Sequence, residues 1–283
     1  MPKVPMCAVW LGLGLLAAAP PPPTAANLVA RNLAARGGAD RLAALHGVRF
    51  EGRMVLPGDF QLTYRETRAR TEAGGTLRID AALQGLTLVQ AYDGAVAWRI
   101  NPFEGRKDAE RMSGDEARAL ADQASLDGPL LSSRRDGSTV TYLGREDFDG
   151  TLAYKLRVAQ KDGDEFVYLL DPDTFLEIAE TETRRVRGTQ QVTQYEMGDY
   201  EKVDGVYFPM SIDSWSPGQP NQRQQVIIAS AVANPGVTPA TFAQPTAPGG
   251  RDTGTGKEDL PPGGKQPAPD ANAAANASKP KGR

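Results

Sequence analysis

The chain has 283 residues, a formal net charge of −3 at pH 7 and an isoelectric point near 5.4. Such a balance offers no basic field to neutralise phosphates, which argues against nucleic acid as a partner. With one histidine and one cysteine in the whole sequence, the residues of common zinc sites and of histidine-activated nucleophiles are scarce. We therefore predict a protein that is not an enzyme and that uses no metal or cofactor.

Residues 1–26 have the features of a secretory signal peptide. Lys3 is the only charge ahead of the apolar run at residues 6–19, and this run is too short to span a bilayer. A cluster of small residues predicts cleavage after Ala26, with an uncleaved anchor as the alternative. We expect export to the periplasm, and cleavage would leave no thiol because Cys7 lies in the removed segment.

The predicted domain begins with helices and continues as a sheet. Apolar residues recur at helical spacing over residues 28–45, with a break at Gly37-Gly38, which predicts two short helices. From Val48 the apolar residues recur at every second position, which is typical of a strand. Further strands are predicted at residues 60–71, 76–82, 86–92, 95–100, 138–146, 151–161, 165–170, 175–187, 190–200, 207–216 and 223–232.

One helix interrupts this series of strands. Ser113 and Glu116 form the pattern of a capping box, which predicts a helix over residues 113–125. The turns between strands are short and rich in Asp and Gly, and such connections require antiparallel pairing because parallel strands need long crossovers.

About eleven or twelve antiparallel strands are many for one open sheet, which tends to curl or close. The sequence therefore predicts an α+β, mainly antiparallel fold: a strongly curved half-open β-barrel of about 11 strands, with helices that cover its open side. We assign this domain to residues 27–243. Residues 244–283 are rich in Pro, Gly, Ala and Lys, and we predict a disordered tail because so few apolar side chains cannot offset the entropy of ordering.

The strand predicted at residues 175–187 is charged on both faces towards its end. Its charged residues there are Glu180, Glu182, Arg184, Arg185 and Arg187. This pattern favours a solvated hairpin with cross-strand ion pairs. An edge that docks a partner is the alternative.

The segment at residues 84–103 predicts a β-hairpin that turns at Asp93-Gly94. Period two places Trp98 on the apolar face of the second strand, so its indole is expected to point towards the interior. Pro102 should end the pairing, since proline has no N–H for a ladder.

The spacing D-G-x-x-x-W-x-x-N-P-F from Asp93 to Phe103 resembles the periplasmic lipoprotein-sorting carriers, the LolA-like family. The resemblance covers about residues 27–235. Four other segments also resemble this wider superfamily: Arg36-Gly37-Gly38-Ala39, Asp171-Pro172-Asp173-Thr174, Val203-Asp204-Gly205 and Phe208-Pro209.

The resemblance implies an interior cavity that shields acyl chains, whereas the alternation alone fits a filled core equally well. The candidate cavity residues are Leu88, Val96, Trp98, Ile100, Phe103, Leu152, Tyr154, Leu156, Phe208, Met210 and Ile212. Known carriers of this kind hold the closed state with a strand arginine near the cavity mouth. Arg78 is the first candidate for this role here, and Arg68 is the second.

The function implied by the resemblance is a monomeric periplasmic carrier. Its cargo would be the acyl chains of an outer-membrane lipoprotein, or another lipid, received from an inner-membrane release complex and passed to an outer-membrane acceptor. One alternative is a periplasmic sensor or assembly factor on the same scaffold that binds a lipid or a protein partner without shuttling it. A third reading is a lipid or glycan hydrolase that uses a carboxylate pair.

Overall fold

The computed structural model of the chain describes residues 22–72 and 74–245. The predicted signal peptide lies outside these residues except for its last five, and the predicted tail lies outside them except for its first two. Within the described residues, helix α1 begins at Ala25, and the side chain of Thr24 caps it by accepting a hydrogen bond from the N–H of Asn27. Cleavage after Ala26 would therefore remove this cap.

The described residues form four α-helices and fifteen strands. The helices are α1 (Ala25–Ala35), α2 (Ala39–Ala44), α3 (Gly114–Ala124) and α4 (Gly128–Asp136). The strands are β1 (Gly47–Leu56), β2 (Phe60–Thr71), β3 (Gly74–Leu83), β4 (Leu86–Tyr92), β5 (Ala97–Asn101), β6 (Arg106–Arg111), β7 (Thr139–Phe148), β8 (Thr151–Ala159), β9 (Glu165–Leu170), β10 (Glu177–Val186), β11 (Thr189–Gly198), β12 (Glu201–Val203), β13 (Val206–Phe208), β14 (Ser211–Trp215) and β15 (Gln224–Ala233).

Thirteen of these strands form one antiparallel sheet in the order β6-β5-β4-β3-β2-β1-β15-β14-β11-β10-β9-β8-β7, and β12 pairs with β13 separately. β6 and β7 are edges that do not pair with each other, so the curved sheet stays open. The predicted antiparallel half-open fold is confirmed, and its main sheet has thirteen strands where about eleven or twelve were predicted.

The helices pack on the inner face of the sheet. α3 contacts β3, β4 and β5 near the β6 end of the sheet and also β10 near the β7 end, so it crosses the open side. Its capping box is confirmed: the Ser113 hydroxyl accepts from the N–H of Glu116 at 3.3 Å, and the Glu116 carboxylate accepts from the N–H of Ser113 at 2.9 Å.

Three elements, β6, α4 and β12, were absent from the prediction. Pro102 ends β5, but the chain turns through a short 3₁₀ helix and pairs again as β6, which corrects the expected stop. β6 has the sequence RKDAER and α4 has the sequence GPLLSSRRD. Neither shows an apolar period, so tertiary contacts decide both elements, with Pro129 tolerated in the first turn of α4.

The C-terminal segment, which includes the 3₁₀ turn Pro239–Thr241, covers the outer face of the sheet at β3, β5 and β6. The Trp98 indole donates a hydrogen bond of 2.8 Å to the carbonyl of Phe242. The side chain of Gln244, the first residue of the predicted tail, donates to the carbonyl of Ala109 on β6 at 3.1 Å. Ordered structure therefore extends beyond the predicted boundary at residue 243.

Among the described residues, no helix combines the length and the hydropathy that crossing a bilayer requires.

Candidate ligand-binding cavity

A cavity of about 420 Å³ lies between the inner face of the sheet and the helices that cross it. This volume falls in the range of roughly 300–1,000 Å³ that is typical of small-molecule sites. We call α3, α4 and the residues 125–127 between them the cover. The cover contributes Ala119, Asp122, Gln123, Ser125, Leu126, Asp127, Gly128, Pro129 and Leu130 to the lining.

One side of the cavity is mainly apolar. The apolar wall consists of Phe50, Met54, Ile79, Leu88, Phe208, Ile212, Val226 and Ile228. Phe50 and Phe208 contact each other edge to face, with ring centroids 5.3 Å apart. On this side of the cavity, β2 adds the ion pair of Glu66 and Arg68, whose charges neutralise each other.

The other side carries most of the ionisable groups. The polar wall consists of Tyr168 on β9, Glu177, Glu180, Glu182 and Arg184 on β10, and Tyr195 on β11. Alternation along β10 places Glu180, Glu182 and Arg184 on the same inner face. The cavity therefore has an apolar part and an ionisable part, an arrangement that suits an amphiphilic ligand.

Arg184 is the centre of this wall and is buried. Its guanidinium pairs with Asp122 of the cover at 2.8 Å and also with Asp164 and Glu182. The guanidinium also lies 5.1 Å from the ring centroid of Phe166. These contacts attach the cover to the polar wall.

Burial changes the protonation of the polar wall. Desolvation, reinforced by the neighbouring Glu177, raises the pKa of Glu180 to about 7. Burial also raises the pKa of Asp122, although Arg184 opposes the effect. Desolvation together with Glu180 raises the pKa of Tyr195 to about 12, so this hydroxyl stays protonated and can donate a hydrogen bond at neutral pH.

The described residues contain no group of three or more His, Cys, Asp or Glu arranged to hold a metal ion.

The fold matches solved structures at low sequence identity. A DUF1329 family protein from Desulfovibrio piger is 15% identical, with a TM-score of 0.55 over 77% of this chain and 95% of that one. An outer membrane lipoprotein-sorting domain from Vibrio parahaemolyticus is 13% identical (TM-score 0.52; 76% and 94% covered), and a LolA superfamily protein from Nitrosomonas europaea is 12% identical (TM-score 0.51; 78% and 98% covered). The chain has the LolA-like fold. It matches no protein-family model, and no curated protein is significantly similar to it in sequence.

Within this LolA-like fold, three of the predicted cavity residues line the cavity: Leu88, Phe208 and Ile212. Three others, Tyr154, Leu156 and Met210, pack in the main core beside it and do not line it. Tyr154 stacks on Phe175 at 5.8 Å between ring centroids. The inner face of β8 is thus filled core, as the alternative reading of the pattern allowed.

The remaining predicted residues lie away from the cavity. Trp98 is 1% exposed but belongs, with Ile100, to a small cluster on the outer face under the C-terminal segment. Val96 lies in the turn between β4 and β5. Phe103 and Leu152 are 44% and 50% exposed near strand ends. The Trp98 ring is thus buried among apolar residues, as expected. It lies on the outer face of the sheet and not beside the cavity, because both faces of β5 are covered.

Among the described residues, neither predicted gating arginine forms an ion pair or a hydrogen bond with the cover. Arg78 lies on the outer face, where it pairs with Asp80 at 2.8 Å and donates to the carbonyl of Thr241. Arg68 lines the cavity but pairs with Glu66 on its own strand. The arginines that join the sheet to the cover include Arg184, Arg99 on β5 and Arg70 on β2, which pair with Asp122, Glu116 and Asp127 in turn.

Arg70 links several elements at the base of the cover. Its guanidinium also donates to the carbonyls of Leu42 and Leu45, at 3.3 and 3.1 Å. Burial opposes ionisation of Asp127, but hydrogen bonds from Arg70 and Arg135 outweigh it and lower the pKa of this carboxyl. Asp127 therefore stays charged and bound.

None of the residues of the polar wall was predicted to line the cavity. The structure corrects the solvated hairpin predicted for this strand, because Arg184 is buried beneath α3. A signal was present: Glu180, Glu182 and Arg184 recur at every second position on one face of the strand, although glutamate is depleted in strands. Arg187, by contrast, is exposed at the tip of the hairpin, as predicted.

Proposed function

We propose that the protein is a periplasmic lipid carrier that takes an acyl chain into the cavity beneath its cover and delivers it towards the outer membrane. The observation that carries this proposal is the cavity of about 420 Å³ between an apolar wall and a cover attached through polar contacts. The acyl chains of a lipoprotein are the proposed cargo, with other single-chain lipids as close variants. An inner-membrane release complex and an outer-membrane acceptor would be its partners.

Energetics limit how much of the cargo is buried. At ~0.8 kcal/mol per CH₂, a chain of about sixteen carbons gains roughly 12 kcal/mol before ordering costs. Three such chains would gain roughly 36 kcal/mol, beyond the ceiling of about 20 kcal/mol for non-covalent binding, and release would be too slow. A cavity of this size favours partial burial of the cargo.

The cover has the contacts of a part that can move. Arg99 on β5 pairs with Glu116 at 3.1 Å, and Gln123 donates to Glu66 on β2 at 3.4 Å. Such polar links exchange readily for water. Opening would also expose Leu120 and Ala124 of α3, which pack in the main core, unless a bound chain covers them. We propose that α3 swings away from β10 when cargo enters or leaves.

Binding is tested by filling the cavity. Leu88→Trp places a large aromatic ring in the apolar wall, whereas Leu152→Trp makes the same exchange at an exposed site away from the cavity. Native mass spectrometry and displacement of a fluorescent sixteen-carbon probe should show that Leu88→Trp weakens binding at least about tenfold. Equal binding by both variants and the unaltered protein would contradict an acyl site in this cavity.

Shuttling needs a separate test, because a sensor on this scaffold would also bind lipid. Spheroplasts that carry a labelled outer-membrane lipoprotein are incubated with the purified protein, and the supernatant is assayed for the lipoprotein. A carrier releases it into solution as a complex. Stable attachment to a membrane protein with no release would favour the sensor, and turnover of lipid or glycan that one Asp or Glu substitution abolishes would favour a hydrolase.

A further inference from the structure

Around the polar wall, carboxyl groups outnumber cationic groups. The cavity lining there includes two arginines, Arg36 and Arg184, and four carboxyl residues, Glu177, Glu180, Glu182 and Asp122. Arg36 pairs with Glu177 at 3.6 Å, and Arg184 divides its guanidinium among Asp122, Glu182 and Asp164. The cationic groups are thus already shared, and carboxyl groups remain in excess.

Glu180 is the carboxyl group of this wall without an ion pair of its own, although the charge of Arg184 acts on it. Among the described residues no lysine or arginine pairs with it, and the Tyr168 hydroxyl offers it a hydrogen bond. The side chain opens onto the cavity and is otherwise enclosed by protein. A carboxyl group in such a place gains strongly from a cation brought in by a ligand, because water screens the attraction little.

We infer that the cargo is an amphiphile with a cationic amine at its polar end, which pairs with Glu180 while the hydrocarbon chain lies along the apolar wall. This inference rests on the proposed function, since it assumes that the cavity takes a hydrocarbon chain. Tyr168 and Tyr195 also line the cavity, and their hydroxyl oxygens can accept further hydrogen bonds from the amine. An anionic headgroup would meet the surplus carboxylates and be repelled.

The ionisation of Glu180 supports the same ligand class. Because its pKa lies near 7, the carboxyl is mostly neutral at pH 5.5 and mostly charged at pH 8. An alkylamine stays cationic across this interval. The affinity for the amine should therefore increase as the pH rises from 5.5 to 8, whereas the affinity for a neutral chain should not show this increase.

The experiment compares three ligands of equal chain length, each below its critical micelle concentration. Hexadecylamine, hexadecanol and palmitate displace a fluorescent sixteen-carbon probe from the purified protein at pH 5.5 and pH 8. At pH 8 we expect the amine to bind about tenfold or more tightly than the alcohol, with palmitate weakest. At pH 5.5 this preference should shrink.

Two variants assign the preference to one residue. Glu180→Gln should abolish the preference for the amine and leave binding of hexadecanol intact, which also shows that the cavity is still formed. Glu196→Gln alters a residue on the neighbouring strand β11 that does not line the cavity, and it should retain the preference.

The outcomes separate this inference from the proposed function. If all three ligands bind but Glu180→Gln leaves the amine preference unchanged, or if palmitate binds best, the inference is wrong and the acyl site stands. If neither the probe nor any of the three ligands binds to the protein or to Glu196→Gln, the acyl site itself is wrong, and the inference with it.

Discussion

Asp122 on α3 and Arg184 on β10 form an ion pair of 2.8 Å that joins the cover to the polar wall of the cavity. The same guanidinium binds Asp164 and Glu182. One buried arginine therefore contacts three carboxyl groups, which come from a helix, a turn and a strand, although its single positive charge offsets only one negative charge. Its removal would leave all three without this cation.

Arg184→Met should lower the free energy of unfolding by roughly 3–5 kcal/mol, because it leaves buried carboxylates unpaired. Urea denaturation monitored by circular dichroism measures the change. The control is Arg223→Met, since Arg223 pairs with Glu196 and Asp213 in a partly exposed place, and its loss should cost less than about 1 kcal/mol. Equal losses in both variants would contradict a structural role for Arg184 in closing the cavity.

Stability should depend on pH through Glu180. Its pKa is about 7 in the folded chain and near its ordinary value of 4.5 when unfolded, so between these values the folded state holds more protons. The stabilising contribution is therefore complete below about pH 4.5 and is lost as the pH rises through 7. Glu180→Gln should match the unaltered protein at pH 4.5 and be more stable at pH 8, by roughly 3 kcal/mol at most.

The measurement is the difference in the free energy of unfolding between the two proteins, taken from urea titrations across this interval. Taking the difference cancels the titration of other groups such as Asp122, whose pKa is also raised. A constant difference from pH 4.5 to pH 8 would be inconsistent with a raised pKa for Glu180.

Trp98→Ala should lower the free energy of unfolding by roughly 3–5 kcal/mol, because the ring is buried and its N–H is bonded to the carbonyl of Phe242. Acyl binding by the molecules that stay folded should be unchanged, since the ring lies on the outer face. Phe60→Ala is the control: Phe60 is 62% exposed, and its removal should change stability by no more than about 0.5 kcal/mol. Loss of binding without loss of stability would place Trp98 in the site instead.

Gly75→Ala should weaken the docking of the cover. A methyl group at this position would lie 2.6 Å from the carbonyl oxygen of Ala124, at the end of α3, so the helix must shift away from β3. Stopped-flow release of a bound fluorescent chain should be faster in this variant. Gly198→Ala meets no atom within 4 Å and should leave the release rate unchanged. Slower or equal release from Gly75→Ala would contradict a cover that gates the cavity.

Much of the architecture was predictable because its signals are local. The alternation of β2 and the turn residues at its ends defined residues 60–71 as a strand, and the structure has the same bounds. The capping box at Ser113 predicted the start of α3 for the same reason: a cap joins residues three positions apart. β6 and α4 lack such patterns, and their pairing and packing partners are distant in the chain.

The sequence by itself determined that strands dominate, that they pair in an antiparallel sheet and that a capped helix interrupts them, since period and turn chemistry act between near neighbours. Only the tertiary structure decided which faces enclose the cavity. Period two shows that Trp98 and Ala97 face opposite ways, but the face of Trp98 is covered by Phe242, which is 144 residues away. Likewise Arg184 resembles a solvated residue until α3 folds over it, because burial depends on distant segments that no local pattern specifies.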